Sequence, residues 1–131
     1  MPTELPTAKR AFEISYPEFW RLYLDAHRSP VTRGVHYAAT MLGAAGTVAS
    51  VMLGEALLAP AGILVAVSMA VGSHRFVEHN RPLIRVNPLY GALCDLRMMW
   101  LGMTGRLPQE YARLGLGRAA PRTGGIAPVK V

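Results

Sequence analysis

Two long apolar stretches set the pattern of the chain. From Val35 to Leu53, and again from Ala56 to Ser73, there is no Lys, Arg or Asp, and no Glu. At about 1.5 Å per helical residue each stretch reaches roughly 27 to 29 Å, close to a hydrocarbon core of about 30 Å. Gly54, Glu55 and the region of Pro60 join them. So short a turn admits only an antiparallel pair, and the pattern predicts a transmembrane hairpin.

Shorter elements flank it. Ser15 with Glu18 three residues later is a capping-box signature, so a helix should run to about His27 before Pro30 stops it. Phe19, Leu22 and Tyr23 share one face of that helix, and Trp20 and Tyr23 suit a membrane interface. The second apolar stretch continues through Ser73 to His79 and ends at Asn80 and Pro82. A third apolar segment opens with Asn87 as N-cap and Pro88 at the first helical position, and runs to about Met103. It holds Asp95 and Arg97, and a carboxylate at a membrane helix centre costs roughly 2.5 to 3.5 kcal/mol on insertion scales. Asp95 should therefore face a partner or a cavity. An arginine such as Arg97 or Arg81 is one candidate partner, and a metal-bound histidine is the other. Gln109 to Leu114 should add a short surface helix.

The expected architecture is all-α: a small polytopic membrane helical bundle with an N-terminal interfacial amphipathic helix, a transmembrane hairpin and a third transmembrane or re-entrant helix. Residues 1–14 read as a flexible arm, 15–115 as one helical membrane domain and 116–131 as a flexible basic tail. A soluble helical bundle is the competing architecture.

Composition supports the membrane reading. The chain is 51% hydrophobic and 17% charged, with a mean hydropathy of +0.23. Its net charge of +6 is spread over segments flanking the apolar stretches. No recognition-helix pattern or aromatic-basic interleaving accompanies it, which argues against nucleic acid and for anionic headgroups. Lys9, Arg10, Arg21, Arg28 and Arg33 precede the first stretch, Arg75, Arg81 and Arg85 follow the second, and the turn has no Lys or Arg. The N-terminus and the histidine-bearing end are thus expected on the cytoplasmic side of an integral membrane protein. The first thirty residues show no apolar core of a cleavable signal. Cys94 is alone, so no disulfide forms within one chain.

The four histidines, His27, His36, His74 and His79, sit at the ends of the apolar stretches. A hairpin brings His36 and His74 to one membrane surface. His74 and Glu78, four apart, share a helical face, whereas His79 is turned away. Imidazole nitrogen and carboxylate oxygen suit Fe(II), Mn(II) or Zn(II). His36 and His74 with either His27 or Glu78 would make a ligand set; the plainer reading is that His27 and His36 cap helices or sit at headgroup level, and that His74 and Glu78 are an ordinary helix-surface pair. Gly43, Ala44, Ala45, Gly46 and Ala49 read as close helix packing. Met98, Met99, Trp100 and Met103 read as apolar filling.

Three strings point further: Tyr16-Pro17-Glu18-Phe19-Trp20, then Tyr23-Leu24 with His27-Arg28-Ser29-Pro30, then Thr32-Arg33 and His36. With Gly72, His74, Glu78, Asn80-Arg81-Pro82, Pro88-Leu89 and Asp95-Leu96-Arg97-Met98, they resemble the small membrane-protein family of 2-hydroxy fatty acid dioxygenases, over about residues 16–104. The resemblance implies an Fe(II)-dependent enzyme that removes one carbon from a 2-hydroxy fatty acid with O2, the fatty acid α-oxidation reaction. On it, His27, His36 and His74 stand at the family's histidines and Glu78 and Asp95 at its acids, in catalytic roles. His79 stands where the family often has lysine. Arg33, Arg75 and Arg81 would hold the substrate carboxylate. The alternative from a different class is a non-enzymatic membrane scaffold or assembly factor, and a homo-oligomer is left open.

Overall fold

A computed structural model of the chain describes residues 14–117. The described residues are helical throughout, in the order α1 (Tyr16–Asp25), α2 (Pro30–Leu53), α3 (Leu58–Ser73), a π-helical turn (His74–Glu78), a 3-10 turn (Leu83–Arg85), α4 (Pro88–Met103) and α5 (Leu107–Arg113). The arm and tail expected at the two ends fall mainly outside the described residues. Ile14 and Leu116, at the borders, pack on the core.

The local signals act as expected. The Ser15 side chain accepts the Glu18 backbone N–H, and the Glu18 carboxylate reaches back to the Ser15 N–H, closing the capping box. Asn87 caps α4 by accepting the Tyr90 N–H. Gly54 ends α2 at φ 69°, a left-handed conformation that glycine adopts without a Cβ penalty.

α2 and α3 form the antiparallel hairpin. With the π-turn, the second arm is a continuous helical segment, Leu58–Glu78, and both arms are long and apolar enough to cross a membrane. Only 11% of each apolar window is buried, so neither arm is a core helix among the described residues. At the turn end Val51, Met52 and Leu57 are 80%, 78% and 79% exposed. A continuous bare apolar surface of this kind calls for an apolar partner.

The arms meet through glycine. A Cβ built on Gly46 would lie 2.9 Å from the Leu58 carbonyl oxygen and 3.1 Å from the Gly62 Cα, both backbone atoms that cannot step aside. Gly46→Leu is therefore expected to push the arms apart and cost about 1–3 kcal/mol of stability, as overpacking does. Thermal unfolding in detergent measures this, with Gly34→Ala, where a Cβ meets nothing within 4 Å, as reference.

The core lies beyond the histidine end of the hairpin, where α1, α4 and α5 pack together around Phe19, Trp20, Tyr23, Leu24, Met98 and Tyr111. Here the structure departs from the expectation that Trp20 and Tyr23 of α1 face a membrane interface. Its aromatic residues are turned into the protein because their polar tips find protein partners: Trp20 Nε1 donates to Glu110 at 2.7 Å and the Tyr23 hydroxyl to Asp95 at 2.9 Å. Nor is α5 only a surface helix. Leu107 and Tyr111 are buried, and the Tyr111 hydroxyl donates to the carbonyls of Leu24 and His27.

Glu110 ties this layer together. Its carboxylate accepts from Arg113, Trp20 and Arg97, and those contacts, Arg113 foremost, lower its pKa from 4.5 to about 2. A folded-state value below the unfolded one stabilises the fold above pH 4.5, and that contribution is lost as the pH falls toward 2. Unfolding midpoints followed over this interval should drop for the wild type and drop less for Glu110→Gln.

Candidate metal centre

Three histidines from three segments converge where the hairpin meets the core. His27 follows α1, His36 lies in the second turn of α2, and His74 opens the π-turn that ends the second arm. All three are buried, and one ring nitrogen from each lies within 4.8 Å of the others. Ring centroids are 4.5 Å apart for His27–His36 and His27–His74, and 5.2 Å for His36–His74.

Their hydrogen bonds fix which nitrogens face inward. His27 Nδ1 is 2.6 Å from the Tyr23 carbonyl oxygen, His36 Nδ1 2.8 Å from the Asp95 carboxylate, and His74 Nδ1 2.8 Å from Asn80 Oδ1. Asn80 is oriented in turn, because its Nδ2 donates to the Ala26 carbonyl at 3.1 Å. A backbone carbonyl, a carboxylate and an amide oxygen are all acceptors, so each Nδ1 carries the proton and each Nε2 is left with a lone pair. His27 Nε2 and His36 Nε2 stand 3.3 Å apart. Lone pairs facing one another at that distance repel unless a cation or proton lies between them. Burial first, then the neighbouring His36 and His74 rings, push the His27 pKa well below the ordinary imidazole range. That direction favours the neutral ring, the form able to bind a metal. This donor set, three imidazoles each held from behind, fits a divalent transition metal.

Around the three histidines the chain is heavily braced. Asp95 accepts from Tyr23 and Thr40 as well as from His36. Neither arginine weighed as its partner pairs with it, since Arg97 instead reaches Glu110 and stands over the Trp20 ring at 4.3 Å. Tyr23 supports two of the histidines: its ring stacks on His27 at 4.0 Å, while its hydroxyl holds Asp95, the partner of His36. Burial above all, then Asp95, raise its pKa well above the ordinary phenol value, so the hydroxyl stays a donor.

The other residues singled out in the sequence stand elsewhere. Glu78 lies outside the histidine group and accepts the Ser29 N–H at 2.7 Å. Arg33 donates to the carbonyls of His27 and Arg28, at 3.0 and 2.7 Å. Arg75 and Arg81 are exposed, as is His79. Glu78, Arg33, Asn80 and Tyr111 thus all hold the turn bearing His27. Of these supports Asn80, Tyr111, Tyr23 and Thr40 carried no separate chemical signal in the sequence, although Asn80 and Tyr23 fall within the strings that carried the resemblance.

A cavity of about 190 Å³ opens beside His36 and His74. His36, His74, Asp95, Tyr23 and Thr40 form its polar side, and α3 residues Ala66, Val67 and Ala70 are among those of its apolar wall.

Neither the curated proteins nor the solved structures offer a match to the chain. A family model described as "2-hydroxy-palmitic acid dioxygenase Mpo1-like" matches residues 14–107, a segment that contains all three histidines, Asp95, Asn80 and the whole hairpin. The chain belongs to the Mpo1-like family.

Proposed function

We propose that the protein is an Fe(II)-dependent dioxygenase that removes one carbon from 2-hydroxy fatty acids at a membrane surface. One observation carries this reading above the others: three Nε2 lone pairs converge beside an apolar cavity in a chain of the Mpo1-like family. His27, His36 and His74 would hold a divalent iron, which when bound would supply the chemistry that activates O2 toward a 2-hydroxy acid.

The chain's own residues do the rest. His27, His36 and His74 hold the centre; Tyr23, Asp95 and Asn80 keep their rings in the ligating orientation. Asp95, at the cavity wall and already accepting three hydrogen bonds, is a positioning residue for His36, and in this reading its carboxylate meets the substrate hydroxyl. The Ala66, Val67 and Ala70 side of the cavity takes the first methylenes of the acyl chain, excluding water from the reacting end. Arg81 adjoins cavity-lining Pro82 and Arg75 follows His74, so one of them is our choice for the substrate carboxylate, with Arg33 bracing the His27 turn. Glu78 fixes that turn through Ser29.

The hairpin spans the bilayer in this account, with the N-terminus and the histidine end on the cytoplasmic side, where basic residues flank both arms. An acyl chain then reaches the site from the lipid. The test is product analysis: Fe(II)-loaded protein in detergent, given O2 and a long-chain 2-hydroxy acid, should yield a product one carbon shorter, identified by mass spectrometry. Unchanged substrate from a folded, metal-loaded protein would favour the scaffold reading.

A further inference from the structure

α4 is the helix whose course the sequence leaves open, and its surroundings decide it. Its contacts with the hairpin run from the histidine end to about the middle of the arms: Asp95 meets His36 and Thr40, Gly102 lies against the Tyr37 side chain, and its first turns share the cavity wall with Ala66 to Val71. A helix crossing beside the hairpin would cover its turn-side half as well. That half is bare, with Val48, Val51, Met52 and Leu57 all exposed. At 16 residues α4 is about 24 Å long, short of a hydrocarbon core of about 30 Å.

The outer face of α4 has a second property. Leu89, Leu93, Leu96, Trp100 and Met103 are exposed and follow one another at alternating spacings of four and three residues, which places them in one stripe along the helix. Arg81 and Arg85 lie before this stripe and Arg106 and Arg113 after it. Basic residues at both ends place both ends on the same side of a membrane and suit anionic headgroups.

We infer that α4 does not cross the bilayer but lies within the leaflet on the histidine side, with the Leu89 to Met103 stripe against the acyl chains. The lipid is favoured over a second copy because the stripe continues the bare apolar surface of the hairpin and is bounded by arginines at both ends. This rests on the hairpin spanning the membrane, and it gives the cavity, walled on one side by α4, a direct border with lipid.

Impermeant maleimide labelling in sealed vesicles separates the two claims. Single Glu55→Cys, Arg85→Cys and Arg106→Cys variants keep Cys94, which is buried, and the wild type gives its background. The inference expects Arg106→Cys to label from the same side as Arg85→Cys, with Glu55→Cys labelling from the other. Arg106→Cys labelling with Glu55→Cys would mean that α4 crosses, and would overturn it. Glu55→Cys labelling with Arg85→Cys would instead overturn the spanning hairpin. Trp100 reports the occupant, since the other tryptophan, Trp20, is buried. Bromine placed on the lipid acyl chains should quench the emission component that Trp100→Phe removes. A Trp100 component that resists quenching, together with Trp100→Cys disulfides between chains, would assign the stripe to a second copy.

Discussion

Replacing His36 or His74 with alanine should abolish metal retention and turnover while leaving the helices in place. Each ring supplies one of three converging Nε2 atoms, and neither has a neighbour able to replace it, because Glu78 is occupied with the Ser29 N–H and lies outside the group. Losing an outer hydrogen-bond partner of a ligand costs about 10–100-fold in metal affinity. Loss of the ligand itself should exceed the upper end of that range. Metal content after gel filtration and O2 uptake with a 2-hydroxy acid are the readouts. His79→Ala, on the exposed turn at φ 54°, serves as the control and should keep its metal. Unaltered metal content in both ligand variants would remove the basis of the proposed site.

The second large effect is expected at Asp95. Its carboxylate is the only charged group among the three acceptors that hold the ligand rings, and it fixes the His36 tautomer. Asp95→Asn keeps size and one acceptor oxygen but removes the charge and turns an N–H₂ toward one of the present donors, His36, Tyr23 or Thr40. Metal affinity should fall about 10–100-fold, with the thermal midpoint moving much less than for Asp95→Ala, which strands all three donors. An Asn variant that binds metal as tightly as wild type would reduce Asp95 to a packing role.

The hairpin and the caps at Ser15 and Asn87 were legible because their causes are local: an apolar run of bilayer length, and a side-chain oxygen next to unpaired backbone N–H groups. Convergence of His36 with His74 followed from the hairpin alone. Choosing His27 over Glu78 as the third donor did not, since both lie near that level. What separates them is a turn held by Tyr111 and Asn80 across long stretches of sequence and braced locally by Arg33, together with the Ser29 N–H that engages Glu78. The aromatic face of α1 was ambiguous for the same reason. Trp20 and Tyr23 suit a membrane interface and a protein interior equally well until Glu110 and Asp95 are seen to meet their polar atoms. Asp95 likewise had an arginine two residues away, yet helix geometry turns Arg97 toward α1 and α5 and Asp95 toward the hairpin.

The central claim is that the three histidines hold the iron at which a 2-hydroxy fatty acid reacts with O2. Anaerobic reconstitution of the detergent-purified protein with Fe(II), followed by iron analysis and O2 uptake with and without a long-chain 2-hydroxy acid, tests it most directly. The account expects one iron per chain and uptake that depends on the acid. A folded protein that retains no iron, or that consumes no O2 when the acid is added, would contradict it.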